Sequence, residues 1–274
     1  MIRIVVSGIC GRMGSETASA VIERDDMVLA GGLERGDHRN LGMKLCDLWE
    51  GGSIEMTVRG SLDEFSPDAV DVVVDFSVRE QTLACAEFAR KTGTALVVGT
   101  TGLDDDAREA LRRAAGSAAV VLAPNTSVGV NLLFGLVERV DRALGGTADV
   151  EIVEAHHRAK KDAPSGTASR IVELLSEARD VAPENTALYG RHGMTGPRPS
   201  GEIGVHSVRG GSVAGRHDVH FMTDLEVVTL SHEALSRRAF AEGALYAARF
   251  AAGAEPGFYG MEHALGLAET DGAS

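Results

Sequence analysis

Residues 2 to 14 read Ile2-Arg3-Ile4-Val5-Val6-Ser7-Gly8-Ile9-Cys10-Gly11-Arg12-Met13-Gly14. The apolar run from Ile2 to Ser7 is typical of a buried strand, and a helical pattern follows from about Gly11 to Arg24. A second apolar run, Met27 to Leu33, ends at Glu34. Strand, helix and strand in this order predict a βαβ unit, the building block of an α/β fold.

The glycines of this turn form a candidate phosphate site. Gly8, Gly11 and Gly14 lie where backbone N–H groups and the helix dipole can hold a pyrophosphate. The spacing alone is weak evidence, because 33 of the 274 residues are glycine and a purely structural turn also favours glycine. Glu34 follows 20 residues after Gly14, where an acid can accept hydrogen bonds from the adenosine ribose. Turn and acid together predict dinucleotide binding.

Arg35 leaves the choice between NADH and NADPH open. Its guanidinium could pair with the 2′-phosphate of NADPH, whereas the Glu34 carboxylate would repel that phosphate. A solvated surface arginine is the alternative interpretation of Arg35.

The same alternation of strands and helices continues to about Leu122, which predicts a Rossmann-like, doubly wound parallel sheet. After Asn125 strands follow strands, as expected of an α+β domain. A helical segment, residues 236 to 250, is expected to return to the first domain. We therefore predict a dinucleotide-binding domain of residues 1–127 and 237–274, and a substrate-binding and oligomerisation domain of residues 128–236.

Composition and charge exclude several protein classes. Forty acidic residues against 27 basic ones give a net charge of −13, which argues against a nucleic-acid partner. The apolar runs are too short to span a membrane, and the N-terminus enters a strand pattern without signal-peptide features. Cys10, Cys46 and Cys85 lack metal or disulfide spacing and are expected to be reduced thiols. A cytoplasmic protein is the resulting expectation.

The densest polar segment runs from Glu154 to Thr167 and is the candidate chemical site. A histidine of pKa near 6.5 is suited to proton donation, and Lys160 adds a second donor. Ser165 opens a predicted helix whose free N–H groups can hold a carboxylate. His156 and His157 are adjacent in a strand and should diverge, so no metal site is predicted. A solvated basic loop with a helix N-cap is the alternative.

These residues resemble, in order, the motifs of the 4-hydroxy-tetrahydrodipicolinate reductase (dihydrodipicolinate reductase) family. The resemblance covers essentially the whole chain. The matching stretches are Gly11–Gly14, Asp75–Ser77, Gly99–Gly102, Asn125 with Ser127–Asn131, Glu154–Lys160, Asp162–Ala168, Ser207–Gly210, Gly215–His217 and Gly257–Tyr259.

The resemblance implies an NAD(P)H-dependent oxidoreductase that reduces a cyclic dicarboxylate with loss of water in lysine and diaminopimelate biosynthesis. It implies His156 and Lys160 as catalytic residues, leaves open which of them delivers the proton, and implies a homotetramer. Substrate binding is implied for His157, Gly166 and Thr167. Cofactor contacts are implied for Gly8, Ile9, Cys10, Gly11, Arg12, Met13, Glu34, Arg35, Gly99, Thr100, Thr101, Ala123, Pro124, Asn125 and Thr126.

The sequence departs from the family pattern at two positions. Thr126 stands where many members carry an aromatic residue, and Ser77 replaces a common threonine. Two other functions fit the scaffold: a different NAD(P)-dependent imine or amino-acid reductase, and a dinucleotide sensor without catalysis. The pairing of His-His-x-x-Lys with Ser-Gly-Thr argues against the first, and the presence of both His156 and Lys160 argues against the second.

Overall fold

The computed structural model describes residues 1–48, 55–145 and 147–268. The chain divides into two compact units, one of Met1–Val128 with Arg237–Ser274 and the other of Gly129–Ser236. Within the described residues, no helix is both long enough and apolar enough to cross a lipid bilayer.

The strands, in chain order, are β1 (Ile2–Ser7), β2 (Met27–Leu33), β3 (Val58–Arg59), β4 (Val72–Asp75), β5 (Ala95–Val98), β6 (Ala119–Leu122), β7 (Asp149–His156), β8 (Ala187–Tyr189), β9 (Ile203–Arg209), β10 (Arg216–Met222), β11 (Val227–Glu233) and β12 (Gly257–Tyr259). The helices are α1 (Arg12–Ile22), α2 (Arg79–Thr92), α3 (Asp105–Ala114), α4 (Val128–Ala143), α5 (Gly166–Ala178), α6 (Pro183–Thr186), α7 (Arg238–Ala251) and α8 (Met261–Ala264). Short 3₁₀ turns lie at Leu45–Asp47, Leu62–Glu64 and Pro67–Ala69.

The first unit is built on a seven-stranded sheet in the order β12-β6-β5-β4-β1-β2-β3. Every pairing in this sheet is parallel. Successive residues of β1 alternate between two cores: Ile4 and Val6 pack with α1, α7 and α8, whereas Val5 packs with α2 and α3. Burial on both faces explains why these strands are continuous apolar runs. The predicted doubly wound α/β fold is confirmed.

The second unit is built on a mixed sheet in the order β11-β10-β7-β9-β8. β7 is its central strand, antiparallel to β10 and parallel to β9. Val150 and Ile152 of β7 are completely buried against Ile171 of α5 and Phe221 of β10. The predicted α+β character of this segment is therefore confirmed.

The strands predicted at Ile2–Ser7 and Met27–Leu33 occur with those bounds, and the helices predicted at Gly11 to Arg24 and at residues 236 to 250 are α1 and α7. β3, β8 and β12 were not predicted, because two or three residues are too few to display a period. The glycines and prolines of residues 191–201 predict a long loop. This segment does separate β8 from β9, and Gly193, Gly196 and Gly201 have φ of 72°, 73° and 80°. The sequence predicts a small, polar tail from Ala268 to Ser274, of which all but Ala268 lies outside the described residues.

Candidate active site

The glycine turn after β1 is packed tightly on one side and open on the other. Gly8 has a φ of 76°, a conformation that favours glycine. A Cβ at Gly14 would lie 2.0 Å from the Gly8 carbonyl oxygen, whereas a Cβ at Gly11 would meet only that oxygen, at 3.0 Å. Gly11 is exposed and is the N-cap of α1, which has neither a side-chain cap nor an acidic residue in its first turn. These uncapped N–H groups fit a dinucleotide pyrophosphate.

Glu34 is attached to this turn by a hydrogen bond. The Cys10 N–H donates to Glu34 Oε1 over 2.8 Å, and the Glu34 residue is only 7% exposed. This contact fixes the acid beside the glycines, as dinucleotide binding requires. Arg35, in contrast, is exposed and forms an ion pair with Asp37 at 3.5 Å.

The possible metal-ligand atoms of Cys10, Glu34 and His38 lie within 4.8 Å of one another, close enough to share an ion. Burial raises the pKa of the Cys10 thiol, which opposes the thiolate that a metal needs. Nδ1 of His38 already accepts from the Asn40 N–H at 3.3 Å. The chemistry of this donor set therefore fits a hydrogen-bonded ribose site better than a metal centre.

The ends of β4 and β5 are joined by a buried carboxylate. Asp75 Oδ2 accepts hydrogen bonds from Thr82 Oγ1 at 2.6 Å and Thr100 Oγ1 at 2.8 Å. Thr100 Oγ1 in turn accepts from the Ser77 N–H at 2.9 Å. The Thr100 hydroxyl thus links the residues that follow β5 to those at the end of β4. The neighbouring Thr101 is exposed. From the sequence, Asp75 is part of a stretch that matches the family pattern, and this role of its side chain is not predicted.

The segment after β6 is held by α7. Thr126 is buried, and its hydroxyl donates to the Phe240 carbonyl at 2.7 Å. A Cβ at Gly243 would lie 1.8 Å from the Thr126 carbonyl oxygen, so this glycine allows α7 to approach closely. Thr126, one of the two departures from the pattern that the sequence resembles, therefore ties the end of the segment at residues 123–126 to α7.

In the second unit, Glu154 of β7 is completely buried. Arg209 of β9 donates both Nη atoms to it, each over 2.7 Å, and the Ser165 N–H donates over 3.2 Å. Burial alone would raise the pKa of Glu154, but hydrogen bonds from Arg209, Ser207 and His156 outweigh it and lower the pKa to about 2. Glu154 is therefore an ionised acceptor near neutral pH.

His156 lies on the same face of β7 as Glu154, and its Nδ1 is 2.6 Å from Glu154 Oε2. The His156 ring packs edge-on against His217 of β10, with centroids 5.2 Å apart. A Cβ at the buried Gly215 would lie 3.1 Å from His156 Nε2, so the missing side chain leaves space beside that nitrogen. Burial lowers the pKa of His156, although Glu154 opposes the shift.

Lys160 lies in the turn after β7, where its N–H donates to the His157 carbonyl at 3.1 Å. Its ammonium group pairs with Asp162 at 2.8 Å and is 19% exposed. Arg209 Nη2 also donates to the Asp162 carbonyl at 2.9 Å, which ties this turn to β9. His157 follows the end of β7 and is half-buried.

The N-terminus of α5 completes this group. Ser165 is its N-cap and accepts from the Ala168 N–H at 3.2 Å, so the predicted helix start is confirmed. Ser165 Oγ is also 2.9 Å from His217 Nε2. Burial lowers the pKa of His217 to about 4, so this ring is neutral at pH 7. Gly166 is exposed and Thr167 half-buried in the first turn.

Each unit thus brings together predicted residues that are distant in sequence. Sequence reasoning assigned no role to Arg209, His217 or Gly243. The first two occurred within matching motifs, residues 207–210 and 215–217, which was the available signal. Nothing in the sequence singled out Gly243 among the other glycines.

Two family profiles match the chain. The profile described as dihydrodipicolinate reductase, N-terminus, matches residues 2–126, and the profile described as dihydrodipicolinate reductase, C-terminus, matches residues 129–265.

Curated relatives match over nearly the whole chain. A 4-hydroxy-tetrahydrodipicolinate reductase from Rubrobacter xylanophilus is 46% identical, with coverage of 97% of this chain and 98% of the relative. One from Myxococcus xanthus is 43% identical, with coverage of 98% and 100%. A dipicolinate-bound dihydrodipicolinate reductase from Paenisporosarcina sp. TG-14 superposes with a TM-score of 0.78 at 26% identity, over 96% of this chain and 99% of that one. The chain belongs to the dihydrodipicolinate reductase family.

Proposed function

We propose that this protein reduces 4-hydroxy-tetrahydrodipicolinate to tetrahydrodipicolinate with loss of water, using NADH or NADPH, in lysine and diaminopimelate biosynthesis. The observation that carries this proposal is the 46% identity to a reductase of that name over 97% of the chain. More distant neighbours, such as an amine dehydrogenase from Mycobacterium smegmatis at 12% identity, share the fold alone.

The first unit binds the dinucleotide in this proposal. The open N-terminus of α1 receives the pyrophosphate, and Glu34 accepts from the ribose hydroxyls. Gly99 to Thr101 and Ala123 to Thr126 lie at the carboxyl ends of β5 and β6, where ligands of parallel sheets bind. The bound cofactor supplies a hydride.

The second unit supplies the proton and holds the substrate. Hydride addition to a conjugated imine places negative charge on nitrogen and the adjoining carbon, so a proton donor is needed. His156 and Lys160 are the two candidates: His156 is the last residue of β7, and Lys160 lies in the turn that follows. His157, Gly166 and Thr167 hold the carboxylates, because the first turn of α5 presents N–H groups and a positive dipole end.

Assembly and location are part of the proposal. The family resemblance implies a homotetramer formed through the second unit, and we include it in the proposal. Light scattering of the purified protein measures this state. A reducing compartment such as the cytoplasm fits the three free cysteines.

The activity is tested by following NADH and NADPH oxidation separately in a coupled assay that generates the substrate in situ. Substrate-dependent oxidation supports the proposal. Oxidation only with another imine would favour the alternative reductase, and cofactor binding without any turnover would favour the dinucleotide sensor. A His156→Gln variant is the matched control, since it leaves the first unit unchanged.

A further inference from the structure

The carboxylate of Glu154 is saturated with hydrogen-bond donors. Oε1 accepts from Arg209 Nη2 at 2.7 Å and from the Ser165 N–H at 3.2 Å. Oε2 accepts from Arg209 Nη1 at 2.7 Å and lies 2.6 Å from His156 Nδ1. A guanidinium and a backbone N–H can only donate, and an ionised carboxylate can only accept. The short contact to His156 therefore requires a proton on Nδ1.

A proton on Nδ1 determines what the other ring nitrogen can do. In the neutral ring, Nε2 is then an acceptor, and in the imidazolium it is the donor that remains for a substrate. Gly215 keeps this side open, because a Cβ there would lie 3.1 Å from Nε2. The ring is thus oriented by one nitrogen, and the absence of a side chain at Gly215 leaves room beside the other.

The groups that face His156 oppose one another electrostatically. Lys160 from the following turn and Arg209 from β9 disfavour the imidazolium, and the neutral His217 ring packs against it from β10. Glu154 is the neighbour that favours the charged form. Removal of its charge should therefore make His156 harder to protonate.

We infer that Glu154 is a positioning residue of the reaction, whose buried carboxylate fixes the His156 proton on Nδ1 and directs Nε2 toward the substrate. The catalytic consequence rests on the function proposed above, whereas the position of the proton does not. The same carboxylate holds Ser165 at the start of α5, so one group aligns the proton donor with the carboxylate cradle.

A purely structural role for Glu154 predicts a different result. Anchoring Arg209 and Ser165 would affect stability but would impose no choice between the two ring nitrogens. The tautomer and the titration of His156 therefore separate the two roles.

The experiment is a long-range ¹H–¹⁵N correlation spectrum of the full-length protein with ¹⁵N-labelled histidine, recorded across pH. The His156→Gln spectrum assigns the signal. We expect neutral His156 to carry its proton on Nδ1 in the parent. In Glu154→Gln we expect its titration to move to lower pH and kcat to fall at least about tenfold, with a smaller change in KM.

Glu151→Gln is the matched control. Glu151 lies on the opposite face of β7, and it likewise accepts from arginine and from a histidine, His206 Nε2 at 2.8 Å. This variant should alter the His206 signal and leave that of His156 unchanged.

The outcomes are distinguishable. A parental His156 with its proton on Nε2, or an unchanged His156 titration in folded Glu154→Gln, would overturn the inference. If Glu154→Gln does not fold, the parental tautomer alone decides it. A parental protein with the expected tautomer but without reductase activity would refute the proposed function and leave the assigned proton position intact.

Discussion

Gly14 approaches Gly8 so closely that a Cβ at position 14 would lie 2.0 Å from the Gly8 carbonyl oxygen. The first turn of α1 therefore touches the turn that follows β1. Gly11 is less crowded, because a Cβ at position 11 would meet only the same oxygen, at 3.0 Å. Gly14 is therefore needed for packing, whereas Gly11 leaves the N-terminus of α1 open to a ligand. Substitutions at the two positions should affect stability and cofactor binding separately.

Gly11→Ser should weaken the cofactor site without weakening the fold. Serine is a good N-cap, and its hydroxyl would occupy the N–H groups proposed to hold the pyrophosphate. We expect the NADH Kd to rise at least about tenfold, since a lost charged hydrogen bond costs about 1.5 to 3 kcal/mol. Calorimetric titration measures the affinity. Gly14→Ala, the control, should instead lose about 1 to 3 kcal/mol of stability through overpacking. Parental NADH affinity in Gly11→Ser would contradict the assigned role.

Glu34 should favour NADH. Its carboxylate can accept from ribose hydroxyls but repels a 2′-phosphate, so NADH should be used at least as well as NADPH. Glu34→Gln keeps an acceptor for the Cys10 N–H and removes the charge. The ratio of kcat/KM for NADPH to that for NADH should then rise at least about tenfold. Steady-state kinetics with both cofactors checks this. A parental preference for NADPH above tenfold would show that Glu34 does not set the choice.

His156→Gln should lower kcat by roughly 10² to 10⁴, the usual share of general acid catalysis. Glutamine can still donate a hydrogen bond but cannot transfer a proton, so KM should change little. NADH affinity, measured by titration, should equal that of the parent, because His156 lies outside the first unit. Near-parental kcat would transfer the proton-donor role to Lys160.

Thr167→Val should act mainly on substrate binding. The hydroxyl lies in the first turn of α5 and is proposed to hold a carboxylate, so its loss should raise KM by about 10- to 100-fold. The free energy of unfolding, measured with denaturant on the same variant, separates a loss of stability from a loss of substrate binding. His157→Gln should behave in the same way. A fall in kcat at unchanged KM would instead place these residues in the chemical step.

The stability of the protein should decrease below about pH 6.5 because of His217. Burial lowers the pKa of His217 to about 4, so the unfolded chain binds the proton more tightly than the folded one. The stabilisation is complete above pH 6.5 and is lost as pH falls toward 4, by about 3 kcal/mol at most. In His217→Asn, the free energy of unfolding, measured with denaturant at several pH values across this range, should decrease less steeply with falling pH than it does in the parent. The same dependence of the unfolding free energy on pH in parent and variant would contradict a neutral, buried His217.

The sequence by itself determined the α/β fold, the class of each long element and the family. Strands such as Val72–Asp75 are readable because burial on both faces of a parallel sheet demands uninterrupted apolar residues. The glycine turn and the segment from Glu154 to Thr167 can be recognised in the sequence, because the glycines of the one and the polar residues of the other lie close together in the chain. Such signals are local in the chain, and no knowledge of the partner strands is needed to recognise them.

Only the tertiary structure decided what each polar group does. Glu154 pairs in register with His217 on one neighbouring strand and with Ser207 on the other, while His156 pairs with Arg209. A register shift of one residue would have turned these side chains to opposite faces of the sheet. The charge of Glu154, the orientation of His156 and the neutrality of His217 all depend on this register. The register is set by the packing of the apolar faces of β7, β9 and β10 on one core. β7 and β9 are separated by more than 45 residues of sequence, so local patterns do not reveal which of their residues pair.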